Sequence, residues 1–230
     1  MNGILKKVLT YCVLPIVIIG LAYMTYSSVM QPVKFNKQKD YRESIAIQRL
    51  KDIRTLEVAY KSVHNRFTAS VDSLTDFYKN GQMKIVMQVG SKDDSTAVAN
   101  TAKIRASHKG ITPAQLFDLY KSGESLVFSI ASNVPVRDTL FRSRKDFSID
   151  SLKYIPFSGG EVIQMQAIVK KVSGVDVPLF EAKIPYKSLL KGLDNQLRIN
   201  LDYSRTETNR YPGLQVGSVT APNNNAGNWE

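Results

Sequence analysis

At 230 residues, with 43% hydrophobic and 22% charged residues, the chain is long enough for one domain of ordinary size and too apolar to be disordered throughout. Its net charge of +11 is spread from Lys6 to Arg210 with no dense basic block and no recognised nucleic-acid module, so a solvated basic surface is expected and nucleic acid is not an expected partner. The single cysteine, Cys12, excludes an internal disulfide and a cysteine metal cluster, which leaves packing to hold the fold.

The first element is an apolar run. From Val8 to Met30 there are 23 residues without a charge, and about 20 suffice for a helix to cross the hydrocarbon core. Tyr11, Tyr23 and Tyr26 lie toward its ends, where amphipathic rings prefer the interface. A transmembrane helix is therefore expected over 8–30, after a short tail at 1–7, with membrane lipid as its partner. No small-residue cleavage triplet follows the run, and Leu9-Thr10-Tyr11 ahead of Cys12 is a poor lipoprotein processing site, so an uncleaved anchor is expected. Lys34, Lys37, Lys39 and Arg42 after the span outnumber Lys6 and Lys7 before it, which opposes an inside N-terminus. A short tail plus one span is nonetheless the shape of a signal-anchor protein with its bulk exported. The reading adopted is a single-pass protein of the bacterial inner membrane with a periplasmic C-terminal domain.

A juxtamembrane amphipathic helix is expected over 31–64. Ala46, Leu50, Ile53, Leu56, Tyr60 and Val63 recur at three- and four-residue steps and form one apolar stripe. The positions between them carry Arg42, Glu43, Arg49, Lys51, Asp52, Arg54 and Glu57, and Glu57 stands four residues before Lys61 in the favourable order for a surface pair.

Three segments then begin with a capping hydroxyl and end at glycine: Ser70 to Gly81, Thr112 to Gly123 and Ser148 to Gly159. Each predicts a short helix, the third cut short by Pro156, and each is followed by a strand-like run: MKIVMQV, SLVFSIA and EVIQMQAIV. The shared spacing is read as reused turn chemistry. Residues 91–111 are polar and aperiodic, and a mobile loop is expected there. Ile163, Met165, Ala167 and Val169 alternate with Gln164, Gln166, Ile168 and Lys170 in a nearly clean period of two, and Ser173-Gly174-Val175-Asp176 predicts a hairpin into VPLFEAKIP. Residues 186–192 suit a helical turn. QLRINLDYS, with Leu197, Ile199, Leu201 and Tyr203 alternating, predicts a further strand, and 221–230 a flexible tail. The expected fold class is α+β: an N-terminal transmembrane helix and an amphipathic helix followed by an antiparallel sheet with short helices, the folded domain occupying 65–220.

Candidate chemistry is sparse. His64 and His108 have no cysteine or histidine at zinc spacing, and Gly159-Gly160 lacks a phosphate-loop lysine. Ser107-His108 is an adjacent pair in a polar stretch, and adjacency seldom gives a nucleophile and its base the required geometry. No catalytic residue, cofactor or metal is expected, and the chain is not expected to be an enzyme.

Arg49-Leu50-Lys51-Asp52-Ile53-Arg54, then Tyr60, Arg66-Phe67 and Ser70 to Leu74, follow the apolar span. Over roughly residues 8–75, about a third of the chain, this arrangement resembles type IV pilins and the pseudopilins of secretion systems. Gly3-Ile4 stands where those proteins have Gly then Phe, and no acidic residue precedes Asp40. The resemblance implies a non-enzymatic scaffold or assembly subunit that contacts other envelope proteins, or further copies of itself, through the stripe of Leu50, Ile53, Leu56 and Tyr60. The alternative from the charge is a tethered binding module for an acidic ligand, cell-wall polymer or anionic lipid, using Lys170, Lys171, Lys183, Lys187 and Lys191.

Overall fold

The computed structural model describes residues 9–230, so the expected tail at 1–7 and the first residue of the span, Val8, lie outside the described residues. A π-helical turn, Leu9–Val13, leads into one long helix, α1, Leu14–His64. The two helices expected on either side of residue 30 are thus one. Pro32 lies inside it and withholds an N–H from the Ser28 carbonyl, but the residues that follow, Lys34 to Glu43, are mostly good helix formers and carry the ladder onward. Every described side chain from Thr10 to Val29 is exposed, whereas Phe35, Ala46, Leu50, Ile53 and Leu56 are buried. This helix is long and apolar enough in its N-terminal part to cross a membrane.

The chain then forms two compact units, Met1–Arg54 with Ser151–Glu230, and Thr55–Asp150. Their short helices and antiparallel sheets make the α+β class observed.

In Thr55–Asp150, the elements are α2 (Val71–Asn80), β1 (Gln82–Val89), α3 (Ser95–Ser107), α4 (Pro113–Lys121), β2 (Phe128–Pro135) and a single helical turn, α5 (Val136–Thr139). Two of the three caps read from sequence are present: Ser70 accepts the Ser73 N–H, and Thr112 and Gln115 form a reciprocal capping box with Pro113 in the first turn, whereas the helix expected after Ser148 is only a three-residue 3-10 turn, Ile149–Ser151. Gly81 ends α2 in extended rather than left-handed backbone, and it is required there because a Cβ would lie 2.3 Å from the Phe77 carbonyl oxygen. β1 and β2 pair antiparallel from Gln82 opposite Pro135 to Val89 opposite Phe128. One core gathers Ala59, Phe77 and Val136, and another Val89, Leu116, Leu126 and Phe128. The stretch expected as a loop at 91–111 is largely helix. Asp94 caps α3 through the N–H groups of Thr96 and Ala97, and Ala97, Thr101 and Ile104 supply an inward face too small to register as an apolar stripe.

In the other unit, β3 (Gln164–Val172), β4 (Val175–Pro185) and β5 (Gly213–Gly217) form an antiparallel sheet with β4 central. Val172 pairs with Val175 across Ser173-Gly174, both in the left-handed region at φ 51° and 84°, so the expected hairpin closes through a two-residue primed turn. Phe180, Ala182, Ile184, Leu214 and Val216 are buried on this sheet. The one-turn helix α6, Tyr186–Leu189, meets the expectation for 186–192.

Two expectations fail in this unit. The segment read as a strand is helix α7, Asn195–Glu207, capped by Asp194 through the Leu197 N–H at 2.9 Å. Its inward residues are Leu197 and Leu201, four apart, while Ile199 and Tyr203 are exposed, so period 3.6 overrides the apparent period of two. The tail at 221–230 is not loose. The Gly217 N–H donates to Ala226, Val216 bridges Gly227, and Asn228 exchanges hydrogen bonds with Gln215, so the chain end covers the outer edge of β5. Trp229 is half-buried, and Arg54 pairs with Glu230 at 2.7 Å.

Candidate functional site

The unit holding the N-terminal part of α1 grips that helix through polar contacts. The Gln31 amide donates to the Asp194 carboxylate, and Arg42 donates to the carbonyls of Leu189 and Lys191 at 3.0 and 2.9 Å while its guanidinium lies 4.8 Å from the Phe157 ring centroid. The Leu197 N–H, with Gln31, holds the Asp194 carboxyl below the usual range. Deeper in, the Tyr186 hydroxyl donates to Glu43, and burial with that carboxylate raises the phenol well above its ordinary value. Arg205 lies over the Tyr186 ring at 5.2 Å, and Arg198 pairs with Asp202 one turn apart on α7. Burial raises the Asp202 carboxyl against the pull of Arg198.

Between α1 and the Gly192–Asp194 turn lies an open groove of about 460 Å³. Tyr23, Tyr26, Met30 and Phe35 supply its apolar wall, and Gln31, Lys34 and Gln38 its polar one. It sits where α1 passes from fully exposed to packed against its own unit.

In the same unit, the β3–β4 hairpin carries exposed apolar residues: Ile168 is 42%, Val169 60% and Val175 65% exposed. Among the described residues no strand pairs with the outer edge of β3. Lys170 and Lys171 share this hairpin, and the Lys170 ammonium donates to the Thr220 carbonyl at 2.6 Å.

The nine residues singled out from sequence fall into two groups. Leu50, Ile53 and Leu56 are fully buried by the chain's own residues and Tyr60 half-buried, so the stripe is core rather than a free face. Of the lysines, Lys183 is paired with the buried Glu181, and Lys191 reaches Glu161 at 3.5 Å and the Ser158 carbonyl at 3.0 Å. Lys187 is exposed beside the same Glu161, whose carboxyl is held low chiefly by the Ser188 hydroxyl. The five do not form one unengaged patch.

In Thr55–Asp150, Glu57 is fully buried, not a surface partner of Lys61. Its Oε2 accepts the Thr68 N–H at 3.1 Å, its Oε1 has no hydrogen-bond partner among the described residues, and burial pushes the carboxyl up to about 8. Lys61 instead lies 5.0 Å over the Phe67 ring. Asp52, also read as a surface charge, is buried and accepts from Gln48. The Ser107 hydroxyl is 3.2 Å from His108 Nδ1, but both side chains are exposed at the end of α3 and that hydroxyl also reaches the Lys103 carbonyl at 2.9 Å. Among the described residues no group of His, Cys, Asp and Glu could hold a metal ion.

Comparison with protein families, curated proteins and solved structures returns no match. The site must therefore be read from its own geometry. Hydropathy alone marks the groove's position, since it straddles the end of the apolar run. The turn at Gly192–Asp194 carried no such signal, because a single Gly before a helix cap looks like any other loop.

Proposed function

We propose that this chain is a membrane-anchored, non-enzymatic envelope protein that acts as a scaffold or assembly subunit through protein–protein contacts, with a pseudopilin-like role as the sharpest form of that reading. The anchor is the apolar run of residues 8–30, which includes the exposed N-terminal part of α1, in a bacterial inner membrane with the rest of the chain periplasmic. The observation that carries the protein-contact reading is the β3–β4 hairpin, which sets exposed Ile168, Val169 and Val175 beside an unpaired strand edge. An open edge offers main-chain donors and acceptors in register, and apolar side chains beside it supply burial for a partner strand or a second copy. The uninterrupted run of α1 from the anchor into its unit supports the same role, because a continuous helix transmits position where a loose linker would not. This moves the contact surface from the Leu50, Ile53 and Leu56 stripe, which the chain buries for itself, to the hairpin. The acidic-ligand alternative draws less support, since Lys183 and Lys191 already face carboxylates of the chain.

The test is site-specific photo-crosslinking from position 169 in native membranes. Discrete protein adducts are expected, and Val169→Glu combined with Val175→Glu should remove crosslinks placed at neighbouring Lys171 while leaving circular dichroism unchanged. Adducts confined to lipid or wall polymer would overturn the scaffold reading.

A further inference from the structure

We propose that the groove between α1 and the Gly192–Asp194 turn binds the anionic headgroup of a membrane phospholipid. The inference rests on the membrane-anchor reading and adds a ligand site to it. In the sequence the apolar run begins at Val8, and since about 20 residues suffice to cross the hydrocarbon, its outer limit falls near Ser27. Tyr23 and Tyr26 then sit at the level where aromatic rings prefer to lie. Lys34 lies seven residues beyond Ser27, roughly 10 Å along the helix, and its flexible stem can lean its ammonium back to the phosphate layer.

The lining has the two-part character that such a ligand needs. Tyr26 and Met30 offer an apolar surface to the glycerol and upper acyl chain. Lys34, Gln31 and Gln38 offer donors above it, and at about 460 Å³ the groove has the size of a small-ligand site. Lys34 has no ion pair among the described residues. The one acidic lining residue, Asp194, is already engaged by the Gln31 amide and the Leu197 N–H, so its charge is partly answered within the chain. A free phosphate would use only the upper half of this lining, and a neutral headgroup would leave Lys34 unmatched.

The experiment is native mass spectrometry of the full-length chain released from bilayers of equal parts phosphatidylglycerol and phosphatidylcholine, with vesicle flotation run in parallel. One retained phosphatidylglycerol is expected, favoured roughly fivefold over phosphatidylcholine, the worth of a single well-placed lysine near a membrane surface. Lys34→Gln should bring that ratio to parity, and Lys34→Glu, which reverses the charge, to below it. Lys37→Glu, exposed nearby on the same helix but outside the groove, should leave it nearly intact. Equal retention of the two lipids by the unaltered chain, or equal losses in the Lys34 and Lys37 variants, would overturn the site and leave the anchor standing. Displacement of the lipid by millimolar glycerol 3-phosphate would reassign the groove to a soluble phosphate ester. Failure of the chain to float with vesicles would overturn anchor and site together.

Discussion

Glu57, a buried carboxyl with no countercharge of its own among the ion pairs described, ties this protein's stability to pH. Its carboxyl is raised to about 8 because burial disfavours the charged form more than the Thr68 N–H favours it. Between the ordinary carboxyl value near 4.5 and about 8 the folded chain holds a proton that the unfolded chain has released, so stability falls as pH rises through that window and levels off above it. Glu57→Gln keeps an acceptor for Thr68 and removes the titration. It should stabilise the protein by at most about 3 kcal/mol at pH 7 and flatten the pH dependence of the denaturation midpoint, with little change below pH 4. A midpoint that keeps its slope between pH 5 and 8 in the variant would assign the dependence to other groups. The sequence contained the warning. Leu50, Ile53, Glu57 and Tyr60 follow one another at steps of three, four and three, which places the carboxylate on the apolar stripe. The stripe itself was legible because its period is strong, whereas the charge type of Glu57 outweighed its position. The pairing of Lys183 with Glu181 was not legible at all, since it depends on which face of β4 is buried.

At the level of the element, α7 depends on the residue that caps it, Asp194. Asp194 satisfies the Leu197 N–H, and the helix behind it has few buried side chains to hold it otherwise. Asp194→Ala should cost about 1 kcal/mol and raise amide exchange over 195–201 ahead of the rest of its unit. Uniform protection across that segment in the variant would mean that packing, not the cap, fixes α7. The strand read over these residues failed because Leu197, Ile199, Leu201 and Tyr203 satisfy a period of two, and only Leu197 with Leu201 satisfies the helix. A four-residue match cannot arbitrate, and the cap should have decided it. The misread loop at 91–111 has the opposite cause. α3 buries Ala97 and Thr101, residues too small or too polar to mark a face, although Asp94 again announces the start. The β3–β4 hairpin was legible because Ser173-Gly174 is a turn with a conformational reason, and nothing downstream competes with it.

For the whole molecule, the decisive boundary lies at Met30. All described side chains from Thr10 to Val29 are exposed and apolar residues dominate them, while from Met30 onward α1 begins to pack against its own unit. Exposure of so long an apolar surface is unfavourable in water and favourable in hydrocarbon, by roughly 25 cal/mol for each Å². The two stretches of one helix therefore differ in the solvent that suits them, and on the anchor reading proposed above the protein's solubility and its fold are separable properties. Removing residues 1–29 should yield a chain that no longer floats with vesicles yet unfolds in guanidinium at the same midpoint and with the same m-value as the full-length protein in mild detergent, because almost no surface buried in the folded state is lost. Far-ultraviolet circular dichroism and intrinsic fluorescence of the single tryptophan, Trp229, half-buried in the folded C-terminal segment, provide two probes of that transition. A midpoint lowered by more than about 0.5 M would correspond to more than about 1 kcal/mol at a typical slope, and would make the apolar segment part of the fold rather than only its tether.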